Sequence, residues 1–268
     1  MKIATWNVNS LKVRLPHLLE WLADQPIDVV CLQETKLTDD KFPREAIAQA
    51  GYESVFIGQP TYNGVAILTR RDTVGAPTDV RFGNPLHADE QRRLISATVA
   101  GVRVVCAYFP NGQSIDSDKY VYKLEWIDRL IDWLAPQIAQ GLPLALAGDF
   151  NIAPEDRDVR NPAEWAGQVL CSVPERERFL RLVNSGLVDS FRLFEQPEKI
   201  FTWWDYRQMA FRRNNGLRID HVLVSENLRD RVLGCQVERE LRKREQPSDH
   251  APVVVELAPG DQGPSSSR

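Results

Sequence analysis

The chain has 268 residues, of which 43% are apolar and 26% charged. That is enough to bury a large core without covalent staples and is ordinary for a globular protein. The formal net charge of −4 argues against binding nucleic acid through bulk positive charge, but it is compatible with a local basic rim around an acidic centre.

In chain order, Lys2–Val8 and Ile27–Gln33 are apolar runs of strand length. They bracket Leu11–Asp24, where leucines and Trp21 recur at helical spacing and Ser10 stands as N-cap. Tyr52–Ile57, Gly64–Leu68, Val74–Val80, Leu94–Val99 and Val102–Tyr108 read as strands separated by turn residues. Lys119–Ile138 carries the stripe Tyr122, Trp126, Leu130, Trp133 and predicts a long amphipathic helix. Leu142–Ala147 follows as a buried strand. Asn151–Glu175 reads as irregular, Arg176–Asn184 as helix, and Ile219–Val224, Arg231–Glu238 and Val253–Leu257 as strands. Hairpin-linked and helix-linked strands together predict an α/β fold with two mixed sheets packed face to face and helices outside. Residues 1–257 are expected to form a single domain, and the Gly/Pro/Ser-rich stretch 258–268 a disordered tail. Cys31, Cys106, Cys171 and Cys235 form no CxxC pair and read as reduced, buried thiols of a cytoplasmic protein. The chain opens directly into a strand, so no signal peptide is expected. No apolar stretch approaches the roughly 20 residues of a membrane span.

Short polar motifs close these apolar runs: Trp6-Asn7-Val8-Asn9-Ser10, Leu32-Gln33-Glu34-Thr35-Lys36, Tyr108-Phe109-Pro110-Asn111-Gly112, Gly148-Asp149-Phe150-Asn151, Arg218-Ile219-Asp220-His221 and Ser248-Asp249-His250. Acids, amides and a histidine at strand ends can converge on one cleft, and that chemistry suits metal-assisted phosphodiester hydrolysis. Asp149 and Asn151, two apart, face one side with Phe150 tucked into the core; the plain alternative is an Asx turn closing the strand. Adjacent parallel strands would set Asn7 beside Glu34, an oxygen-rich site suited to Mg²⁺. Asp220 can orient His250 and favour its charged form, and either His250 or Asp149 can serve as the base. Tyr108 is half-buried packing or a phenol beside a phosphate. The pairs Arg70-Arg71, Arg92-Arg93 and Arg212-Arg213 are solvated surface or phosphate-positioning contacts. The run Arg239–Arg244 reads as a solvated face. The aromatic stretch Phe201–Arg207, followed by Gly216-Leu217, is core or the wall of a pocket that stacks on an unpaired nucleotide.

Taken in order from Trp6 to Pro252, with TWWDYR and GLRID between, these motifs resemble the exonuclease III family of abasic-site endonucleases, bacterial branch, within the endonuclease/exonuclease/phosphatase fold. The resemblance implies a four-layer α/β sandwich with the site at one edge. It implies that Glu34 is the principal ligand of Mg²⁺, or of Mn²⁺, with Asn7 and Asp249 beside it. Asp149 and Asn151 would position and activate water or protonate the leaving 3′-oxygen. Tyr108 and His250 would bind the scissile phosphate, with Asp220 orienting His250. Trp203 and Leu217 would line a pocket for a flipped-out abasic sugar, with Asn111 and Arg92 as further substrate contacts. The implied partner is double-stranded DNA with abasic sites or 3′ ends, cut by a monomer 5′ to the lesion. The implied accompanying activities are 3′-to-5′ exonuclease and 3′-phosphatase or phosphodiesterase. The alternatives are a non-DNA phosphodiesterase of the same fold and a non-catalytic nucleic-acid-binding relative.

Overall fold

Strong β-branched runs closed by polar turns build twelve strands in the computed structural model, which describes residues 1–260. They are β1 Lys2–Asn7, β2 Val29–Gln33, β3 Tyr52–Ile57, β4 Val65–Arg70, β5 Thr78–Phe82, β6 Leu94–Val99, β7 Val102–Tyr108, β8 Leu144–Asp149, β9 Leu187–Asp189, β10 Asp220–Ser225, β11 Val232–Val237 and β12 Val253–Leu257. The helices are α1 Leu11–Asp24, α2 Arg44–Gln49, α3 Asp118–Ala139, α4 Pro162–Trp165 and α5 Val173–Asn184, with short 3₁₀ turns between.

Two six-stranded mixed sheets form, in the orders β11-β12-β1-β2-β4-β3 and β5-β6-β7-β8-β10-β9. Each contains one parallel pair, β1 with β2 and β7 with β8, whose crossovers carry α1 and α3; the other pairings are antiparallel. Between the sheets lies an aliphatic core including Ile3, Val29, Ile67, Val104, Ala147 and Val255. A second core packs Trp126, Leu130, Leu134, Phe179 and Leu182 of α3 and α5 onto the second sheet. A third packs Leu18, Trp21, Leu22 and Ile47 of α1 and α2 onto the first. The result is the four-layer sandwich, helix–sheet–sheet–helix. All four cysteines are buried free thiols, and among the described residues no helix is long and apolar enough to cross a membrane.

Several expectations need correction. The strand expected at Val74–Val80 lies at Thr78–Phe82, because Arg71–Val74 form a turn, with Thr73 and Val74 N–H donating to Arg70 O, and the exposed edge strand pairs only along β6. Helix α5 begins at Val173, inside the stretch read as irregular. Ser172 caps it with Glu175 closing a capping box and Pro174 in the first turn. Ser10 occupies the N-cap position of α1, yet its side chain makes no capping bond. That end is instead pinned by backbone bonds from Ser10 N–H to Glu34 O (2.8 Å) and Leu11 N–H to Thr35 O (3.1 Å). The segment Arg239–Lys243 is not a solvated face: Leu241 and Arg242 are buried, and the Arg242 guanidinium stacks over Tyr206 and Phe211 at 5.3 and 5.1 Å. Of the tail, Ala258–Gly260 lack regular structure and 261–268 lie outside the described residues.

Candidate active site at the sandwich edge

The parallel strands β1, β2, β7 and β8 all end at one edge of the sandwich, where β10 and β12 begin. Asn7, Glu34, Tyr108, Asp149, Asp220 and His250 therefore meet there. The register sets it: Asn7 is level with Gln33, and Asp149 with both Tyr108 and Asp220. Gly148 makes the close approach possible, since a Cβ there would lie 1.8 Å from Ala107 O on the neighbouring strand.

Asn7 ties the two sheets together. Its Nδ2 donates to Glu34 Oε1 of its own sheet and to Asp149 Oδ2 of the other, both at 2.9 Å, while its Oδ1 accepts from Asn9 N–H at 2.9 Å. Asn7 thus meets Glu34 as a donor rather than as a second ligand oxygen. The Tyr108 hydroxyl also donates to Glu34 Oε1, at 2.9 Å. Asp149 Oδ1 accepts from Asn151 N–H at 2.9 Å, and Asn151 Oδ1 accepts from Asn111 Nδ2 at 3.1 Å. Phe150 between them is fully buried and stacks on Phe109.

His250 Nδ1 contacts Asp220 at 2.9 and 3.0 Å, and its Nε2 lies 3.7 Å from Asp149 Oδ2. Burial disfavours the imidazolium, but the carboxylates of Asp220, Asp149 and Asp249 outweigh it and raise His250 to about 10. Burial pushes Asp149 up to about 7, against the pull of the His250 charge. Burial raises Glu34 as well, but the Lys36 ammonium and the Asn7 amide hold it below the usual carboxylate range. Tyr108 is pushed up by burial and by Glu34, so it stays a neutral donor.

One atom each of Asp149, Asp220 and His250 lie within 4.8 Å of one another. His250 Nδ1 already serves Asp220 there, which makes the trio an ion-paired proton site. The set fitted to a hard cation is the neighbouring oxygen cluster. Lys36 Nζ bridges Glu34 Oε2, at 2.9 Å, and Asn9 Oδ1, so a positive charge already stands among the oxygens. Asp249 does not bond Glu34. Its oxygens accept from Asn9 Nδ2 and Trp203 Nε1, both at 3.0 Å, so it joins the cluster through Asn9.

Beside this edge opens a cavity of about 470 Å³ walled by Trp165, Val169, Trp203, Gly216 and Leu217. Isolated bridges pair Trp203 with both Leu217 and His250, so the pocket and the proton site share a wall. Trp203 is half-buried, Leu217 almost wholly buried, and the adjacent Trp204 belongs to the core. Arg92 lies exposed in the loop before β6. Its neighbour Arg93 stacks over the Tyr108 ring at 4.7 Å. Arg212 and Arg213 are exposed in the loop before Gly216. Arg70-Arg71 does not frame the cleft, because β4 runs antiparallel to β2 and carries the pair to the opposite edge, where Arg71 pairs with Glu53.

A model of the Endonuclease/Exonuclease/phosphatase family matches residues 4–250. The chain belongs to that family. It is 37% identical to exodeoxyribonuclease III of Haemophilus influenzae, over 96% of this chain and all of that one. Among solved structures it resembles the 3′ phosphatase NExo from Neisseria bound to a product DNA hairpin, with 47% identity, a TM-score of 0.92 and coverage of 96% and 99% of the two chains. An AP endonuclease from Archaeoglobus fulgidus matches with 37% identity and a TM-score of 0.91, over 96% and 99%.

In this family member Asn9 and Lys36 join the site although the sequence assigns them no role of their own, and Arg93 joins it as one of the Arg92-Arg93 pair. Asn9 and Lys36 lie inside the quoted motifs, two residues past Asn7 and Glu34. Both have left-handed backbone, φ 43° and 54°, which turns them back towards the same edge. Arg93 gave no signal beyond its pairing with Arg92.

Proposed function

We propose that this protein is a metal-dependent DNA-repair nuclease that hydrolyses the phosphodiester 5′ to abasic sites and also processes 3′ ends as exonuclease, phosphatase and phosphodiesterase. The observation that carries the reading is the pairing of a buried carboxylate near neutrality, Asp149, with an imidazolium fixed by Asp220. Those are a base and a cationic donor 3.7 Å apart. The exodeoxyribonuclease, 3′ phosphatase and AP endonuclease relatives support DNA as the substrate.

Glu34, Asn9 and Asp249 would hold Mg²⁺ or Mn²⁺. When bound, the ion supplies charge neutralisation at the scissile phosphate. Asp149 takes the proton of the attacking water as the water oxygen joins phosphorus. The P–O3′ bond breaks, and the leaving 3′-oxygen takes a proton from solvent to become the 3′-hydroxyl. Asn7 and the Asn151 N–H hold the Asp149 carboxylate in place. His250, charged at neutral pH, donates from Nε2 to a phosphate oxygen while Asp220 fixes its other nitrogen. Tyr108 donates a neutral hydroxyl at the same edge. Trp203 and Leu217 wall the pocket for a baseless sugar, which costs less to extrude than a paired nucleotide. Asn111 steadies Asn151, and Arg92 contacts the DNA backbone. In this reading the unit 1–257 acts as a monomer. The four free thiols suit the cytoplasm.

Glu34→Gln and Asp149→Asn test this directly. Each is expected to lower kcat on an abasic duplex by about 10²–10⁴-fold while DNA binding, followed by fluorescence anisotropy, persists. Full turnover in both variants would refute the reading. The Neisseria relative favours a second emphasis, on 3′-phosphate removal, and a panel of abasic, 3′-phosphate and 3′-hydroxyl duplexes separates the two.

A further inference from the structure

Behind the reaction edge lies a buried ion pair that the chemistry above does not use. Lys123 of α3 and Glu175 of α5 are both fully buried. The ammonium has three protons and three acceptors: a Glu175 carboxylate oxygen, Asn151 O at 2.7 Å and Asn111 O at 3.1 Å. Glu175 is equally committed, accepting from Leu170 N–H and Ser172 N–H, each at 3.0 Å, and from the Ser172 hydroxyl. A buried pair of this kind adds little stability over an apolar pair of the same shape. What it fixes is geometry.

The two carbonyls gripped by Lys123 belong to residues whose side chains meet, Asn111 Nδ2 donating to Asn151 Oδ1. Asn151 in turn donates its N–H to Asp149. Its backbone is left-handed, φ 50°, a conformation that a non-glycine residue keeps when its surroundings impose it. On the other side of the pair, Ala153 N–H donates to Leu170 O at 2.8 Å, tying the same loop to the segment that walls the pocket.

We propose that Lys123, held by Glu175, is a positioning residue for the phosphodiester reaction: one ammonium fixes the carbonyls of residues 111 and 151 and so sets the Asn111–Asn151 pair beside Asp149. This deepens the nuclease reading and rests on it. Lys123→Met alone strands the Glu175 charge in the interior and is expected to fold poorly. The double variant Lys123→Met/Glu175→Gln removes both charges at nearly constant volume and is the informative protein. It is expected to melt cooperatively and to bind an abasic-analogue duplex as the parent does. Its kcat is expected to fall about 10–10²-fold with KM little changed, the signature of a misplaced group. In the DNA-free protein, the ¹H–¹⁵N side-chain amide signals of Asn111 and Asn151 are expected to shift or broaden while those of Asn161 and Asn227 stay. A folded double variant with parental kcat, or with unmoved Asn111 and Asn151 signals, overturns the proposal. If the parent itself fails to cut DNA, the nuclease reading falls, and the amide signals still decide the positioning role.

Discussion

Asp149 and His250 titrate against each other across 3.7 Å, which gives the site a defined pH response. Asp149, raised to about 7, gains its negative charge as pH rises through that value, so the acid limb of kcat should climb there. His250, raised to about 10, keeps its proton until well above neutrality, so the alkaline limb should fall there. Asp220→Asn removes a nearby carboxylate that stabilises the imidazolium. It should move the alkaline limb to lower pH and cost about 10²-fold in kcat. An alkaline limb that stays in place in a kcat–pH profile of this variant would contradict that role for Asp220. The residues of this proton site were legible because each sets a polar group beside a strand end that does not need one, Asp149 closing β8, Asp220 opening β10 and His250 just ahead of β12. Asn9 and Lys123 were not, because their partners are remote: Asn9 meets Asp249 240 positions away, and Lys123 meets Glu175 52 positions away. No local pattern encodes such contacts.

At the scale of elements, the strands of the two parallel pairs do most to fix the site, since their ends carry Asn7, Gln33, Tyr108 and Asp149 in register. Gly148→Ala tests how tightly that register is held. The added methyl meets the Ala107 backbone carbonyl, so the strands must part. Overpacking of this kind is expected to cost about 1–3 kcal/mol in urea unfolding and to lower kcat by displacing the adjacent Asp149. Unchanged stability and turnover would show that the close approach is not needed. Long strands and helices with clear periodicity, such as β7 and α3, were readable from their residues. The six-residue α2, the four-residue α4 and the three-residue β9 are too short to show a period and form because neighbouring elements hold them. Trp203 and Trp204, alike in the sequence, part company only when the strand pairing is known, one towards the pocket and the other into the core.

Across the whole molecule, both sheets follow one plan, a parallel pair at the centre flanked by antiparallel strands. That plan brings both sets of strand ends to a common edge. The chain is acidic overall, so the proposed nuclease reading draws its affinity for DNA from local cations, Arg92 among them, and not from total charge. Arg92→Ala should weaken binding similarly on abasic and intact duplexes and flatten the slope of log K against log salt by about one; an unchanged slope would remove Arg92 from the interface. The most direct test of the nuclease reading uses a 5′-labelled duplex carrying one abasic analogue, incubated with the protein in Mg²⁺ and, separately, in EDTA. A single cut immediately 5′ to the lesion in Mg²⁺, absent in EDTA, is the expected result. Intact DNA under both conditions, or equal cleavage in EDTA, would contradict it.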